Sequence, residues 1–92
     1  MKVYVVEVFS RNDEYNEYSS GVLNVFTKED KAIDFAREYA FKNAKYYGYI
    51  VEEKTQNNVK YLCCISNDPD NTEAEYIKCE VITVTEHELK ED

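Results

Sequence analysis

In the segment Lys2 to Phe9, KVYVVEVF, an extended chain carries Tyr4, Val6 and Val8 on one side and Val3, Val5, Glu7 and Phe9 on the other. β-Branched and aromatic residues on both sides predict a central strand. The polar run SRNDEYNEYSSG that follows has no period and predicts a long loop closed by Gly21, which can take the positive φ a turn requires. VLNVF, residues 22–26, predicts a short second strand.

The hydrophobic period then changes. From Lys28 to about Tyr46, Ile33, Ala36, Ala40 and Ala44 form a stripe widened by Ala32, Phe35 and Tyr39, which predicts an amphipathic helix. Thr27 can cap its first turn, Glu29 and Asp30 suit the positive end of the dipole, and Gly48 with Lys42 and Lys45 suits its close. The small alanines imply close packing on a sheet. YIVEEK (49–54), VKYLCCI (59–65) and YIKCEVITVT (76–85) predict three further strands. The first two are joined by TQNN, whose Asn57 and Asn58 tolerate left-handed backbone, as an antiparallel hairpin. Beyond Thr85 too few apolar residues remain to pack, so residues 86–92 are expected to fray as a polar tail. The fold expected is a single α+β domain over residues 1–92: a mostly antiparallel four- or five-stranded sheet, order β(β)αβββ, with one helix on one face. The other face is left for water or a partner.

Composition narrows this further. A chain of 92 residues, 43% hydrophobic and 33% charged, supports one small core. Such a domain removes roughly 60–65% of its unfolded surface from water, so a dimer interface would add stability. The opening apolar run is short, contains Glu7 and lacks a small-residue cleavage site, so it reads as neither secretory signal nor membrane anchor. A cytoplasmic protein is expected. Cys63, Cys64 and Cys79 have no C-x-x-C spacing and read as free thiols, with neither a disulfide framework nor a zinc site.

The net charge of −8 is unevenly spread. Leu62 to Asp92 holds nine acids against two bases, whereas Thr27 to Lys54 is balanced. Direct binding to nucleic acid needs a cationic patch and is disfavoured. The acidic stretch from Ser66 to Tyr76 fails as a calcium loop: counted from Asp68, Thr72, Glu73 and Cys79 occupy positions that call for an acidic or amide ligand, a glycine and a glutamate. Asp-Pro-Asp-Asn is ordinary turn chemistry. His87, the single histidine, stands among glutamates in the polar tail, and no nucleophile motif or phosphate loop occurs. No metal, no cofactor and no enzymatic activity are expected.

Two groups of residues remain as candidates for binding. Asp68, Asp70, Glu73, Glu75 and Tyr76 crowd one end of the expected sheet, with Glu80 further along and Glu86 and Glu88 toward its other end. Carboxylates so gathered steer a protein to a cationic partner surface at high association rate. Tyr46, Tyr47 and Tyr49 cluster at the helix exit, and Tyr15 and Tyr18 in the expected loop, as a secondary aromatic interface. The alternative is a homodimeric structural or regulatory module that pairs through its sheet.

The passage GVLNVFTKEDKAIDFAREYA, Gly21 to Ala40, resembles a strand-to-helix passage found in small proteins of phages and other mobile elements. Compact size, acidic charge and the lack of catalytic motifs resemble anti-defence inhibitors, including anti-CRISPR proteins, some of which occupy cationic nucleic-acid channels. The resemblance implies an inhibitor that covers the nucleic-acid-binding surface of a partner protein, with no membrane and no direct nucleic-acid contact.

Overall fold

The computed structural model describes residues 1–12, 17–47, 49–66 and 78–90, with the backbone alone at 12, 17, 46, 47 and 78. Its strands are β1 (Lys2–Asn12), β2 (Glu17–Phe26), β3 (Ile50–Lys54), β4 (Tyr61–Ser66) and β5 (Lys78–Glu88), and its helix is α1 (Glu29–Tyr47). All neighbouring strands are antiparallel, in the spatial order β2-β1-β5-β4-β3. This is the expected α+β architecture, with the sheet at five strands.

The helix lies on the face that carries Tyr4, Val6 and Val8. Register puts Val6 opposite Val84, Val8 opposite Ile82, and Cys63 opposite Ile82 on the far side. Val6, Cys63, Ile82, Val84, Ala32, Ala36 and Ala40 are sealed from solvent. An alanine stripe has no bulk to hold the helix away, so the backbone of α1 rides close over β1, β5 and β4, whose branched side chains fill the space between. Tilted rings of Phe26 and Phe35, with centroids 5.4 Å apart, close the β2 side. Cys63 and Cys64 point to opposite faces, as strand alternation requires, and only Cys63 is buried.

Several element ends differ from the expectation. Ser10 to Asn12 pair with Glu17 to Ser19, so most of the expected loop is hairpin, and Gly21 sits within β2 opposite Val8. Strand ladders use backbone groups, so polar side chains that face water do not end them. A bulge opposite Val6 and Glu7 leaves Leu23 as the extra residue of β2. It lets Leu23 and Phe26 pack on the core while Val22 and Val25 turn to the opposite face. β5 runs through Glu88, into the stretch expected to fray, because Lys2 to Tyr4 supply a partner strand for Glu86 to Glu88. At the start of α1, the first helical bond joins Ala32 N–H to the Lys28 carbonyl, so Lys28 stands at the cap and Thr27 one residue outside it. At the other end Tyr49 N–H donates to the Ala44 carbonyl at 2.8 Å. Gly48, expected to close the helix, lies outside the described residues.

Asn58 takes φ 72° in the β3–β4 connection, the left-handed backbone its sequence suggested. Asn58→Ala is expected to cost about 1 kcal/mol and Asn58→Gly close to nothing, as read by urea denaturation.

Candidate functional site

The strand ends determine where the acidic segments attach. Asn12, where β1 ends, pairs with both Glu17 and Lys78, and Ser66, where β4 ends, pairs with Cys79. Residues 13–16 and 67–77 are therefore joined to the sheet at the same end. Asp68, Asp70, Glu73, Glu75 and Tyr76, together with Tyr15, lie outside the described residues. Glu80 is half-buried at this end, on the helix side opposite Ile65. Glu88 pairs with Lys2 at the opposite end of β5, roughly 33 Å away along the strand.

Glu86 and Glu88 are engaged locally. Tyr4 Oη donates to Glu86 at 3.3 Å, and Lys2 and Lys60 each bring an ammonium to 3.9 Å from the same oxygen. Glu88 meets the N-terminal ammonium at 3.0 Å. Such exposed pairs contribute little to stability, about 0–1 kcal/mol each, yet they cancel charge that would otherwise reach a partner. The carboxylates expected to act together thus fall into two groups at opposite ends, and the group at the Lys2 end is neutralised.

Charge separates along the same line. The described ranges hold all eleven bases and eleven acids, so they sum to zero. The whole excess of −8 comes from the remaining segments, which contain no base: Asp13 and Glu14, the four acids from Asp68 to Glu75, and Glu91 and Asp92. Six of these eight are in segments joined to the Asn12 end of the sheet. Lys45, in the last turn of α1, offsets a little of this at the same end.

Of the tyrosines expected to form a secondary interface, the side chains of Tyr18 and Tyr49 are described. Tyr18 is 59% exposed on the sheet face away from the helix, and Tyr49 packs against the core on the helix side. For Tyr46 and Tyr47 only the backbone is described.

The face away from α1 has no cover among the described elements. Register aligns its residues in rows across the five strands: Val22, Glu7, Thr83, Leu62 and Lys54; then Ser20, Phe9, Val81, Cys64 and Glu52; then Tyr18, Arg11, Cys79, Ser66 and Ile50. Phe9 is 48%, Val22 61% and Val25 50% exposed. Eight of these fifteen residues are apolar, and the charged ones balance, Glu7 and Glu52 against Arg11 and Lys54. Glu7 is half-buried with no charged partner among the described residues.

One polar cluster has no trace in the sequence because its members come from three elements. Arg37 Nε donates to Glu53 Oε1 at 2.9 Å, Tyr61 Oη donates to the same oxygen at 2.8 Å, and the guanidinium stacks 5.4 Å from the Tyr61 ring centroid. These contacts clamp the helix to β3 and β4 and form one wall of an open cleft of about 340 Å³ that Lys54, Thr55 and Lys60 also line. The hydrogen bond from Arg37, then that from Tyr61, holds the Glu53 carboxyl below its ordinary value near 4.5. Burial, then the bond to Glu53, pushes the Tyr61 phenol well up, and burial raises the Cys63 thiol. All three shifts lead away from neutrality, so none of these groups is poised to move a proton at pH 7. A lowered carboxyl favours the folded state above its unfolded value, and that stabilisation disappears as pH falls through the folded value. The melting temperatures of the native protein and Glu53→Gln are therefore expected to differ at neutral pH and to converge as the pH falls below about 4.

Among the described residues, no group of three or more metal-binding side chains occurs, and no helix is long and apolar enough to cross a membrane. No family model matches the chain, and neither does any curated protein or solved structure.

Proposed function

We propose that this is a non-enzymatic binding protein that occupies a basic, nucleic-acid-binding surface of a partner protein, in the manner of a phage anti-defence inhibitor. The observation that carries this reading is the separation of charge: a scaffold of zero net charge, with six carboxylates and no base in the segments joined to one end of its sheet. A partner groove built for phosphates presents converging cations, and carboxylates carried on neighbouring segments meet the same field. Asp68, Asp70, Glu73 and Glu75 supply the charge, and Tyr76 and Glu80 act as anchors. Glu86 and Glu88 contribute little, since their charge is cancelled within the chain. The homodimer remains a second reading because of one observation, the uncovered apolar sheet face.

The test is capture from a cell lysate at low salt, elution with a salt gradient and identification by mass spectrometry. A nucleic-acid-binding protein released at moderate salt is the expected result. Recovery of no basic protein, or of one retained unchanged in molar salt, would overturn the electrostatic reading, because exposed charge pairs are screened within about 3 Å at that ionic strength.

A further inference from the structure

We infer that the uncovered sheet face binds a second copy of this chain, across a two-fold axis that lies in the interface directly over Phe9 and along the row through Ser20, Phe9, Val81 and Cys64. Glu7 and Arg11 stand two residues to either side of Phe9 on β1, on the same face. An axis over Phe9 reverses the strand direction between copies. It therefore sets Glu7 against Arg11 of the partner subunit and Arg11 against the partner's Glu7, while Phe9 packs on Phe9 of the partner subunit. The half-buried Glu7 carboxylate, without a charged partner among the described residues, gains one. Isologous interfaces need this self-complementarity.

Three further points favour a second copy over an unrelated protein. The described residues of this face sum to zero charge within a chain of −8, so they set no net repulsion between two copies. Reversed strands turn the Asn12 ends of the two sheets away from each other, so the acidic segments join the assembly at opposite ends. An axis over Phe9 superposes the rows from Val6 to Asn12, about 20 Å of strands spaced about 4.8 Å apart, which presents on the order of 500 Å² per copy, near the roughly 1,000 Å² in total that a specific interface needs. The assembly is a sandwich of two sheets with helices outside. It uses a different surface from the acidic end, so either can fail without the other.

Light scattering at about 50 µM, a concentration that populates a micromolar dimer, is expected to give twice the chain mass. Glu7→Arg and Arg11→Glu are each expected to give a folded monomer, because like charges then oppose one another twice. The double exchange is expected to restore the dimer. A short bis-maleimide applied to Cys79→Ser is expected to link Cys64 to Cys64 of the partner subunit, since Cys63 is buried. A native protein that stays monomeric would overturn the inference. So would a double exchange that remains monomeric while melting like the native protein, or the absence of a Cys64 crosslink.

Discussion

Replacing Asp68, Asp70, Glu73 and Glu75 together by their amides is expected to slow association with the captured partner roughly tenfold to a hundredfold at low salt, while the dissociation rate changes less. The four carboxylates are half of the chain's net charge, and none of the four belongs to the described core. Their effect is long-range steering, so it appears in the encounter rate and declines as the Debye length shortens from about 30 Å at 10 mM salt to about 8 Å at physiological strength. The matching control is Glu86→Gln with Glu88→Gln. Both residues already face cations within the chain, so their loss is expected to leave association nearly unchanged. Equal slowing by the two sets of substitutions would show that total charge matters and its place does not.

The largest effect on stability is expected at Ile82. It is sealed at the centre of the sheet, with Val8 on one side and Cys63 on the other, beneath the alanines of α1. Ile82→Ala removes its methylenes and leaves a cavity that the close helix cannot collapse into, at a cost of about 3 kcal/mol. A domain of this size holds only about 5–14 kcal/mol in total, so the melting temperature is expected to fall by more than about 10 °C. Val22→Ala, on the open face and 61% exposed, is expected to change stability by less than about 0.5 kcal/mol in dilute solution. The pair thus distinguishes the covered face of the sheet from the uncovered one. Similar losses at both positions would mean that the second face is also part of the folded core.

Much of the fold was legible along the chain because its signals are local. The alanine stripe of α1, the alternation in β1 and the two asparagines before β4 each declare their structure within a few residues. What was missed depends on partners distant in sequence. Ser10 to Asn12 and Glu86 to Glu88 look too polar to be ordered, yet each finds a neighbouring strand whose backbone groups need pairing. The bulge at Leu23 has no composition signal, and it alone turns Val22 and Val25 toward the open face. Of the candidate site, the excess of acid was legible as a number. Its place at one end of the sheet followed from the expected hairpin, whereas the joining of residues 13–16 to that same end and the pairing of Glu86 and Glu88 with Lys2, Lys60 and the N-terminus at the other required the strand order. The Arg37, Glu53 and Tyr61 clamp was invisible for the same reason.

The most direct measurement is a competition experiment. The captured partner is loaded with a fluorescent oligonucleotide, and the native protein is titrated in while anisotropy is followed at low and at physiological salt. If the protein occupies the nucleic-acid-binding surface, it displaces the oligonucleotide to completion, and the amide variant of Asp68, Asp70, Glu73 and Glu75 does so only at much higher concentration. A ternary complex in which partner, oligonucleotide and protein coexist would contradict the account.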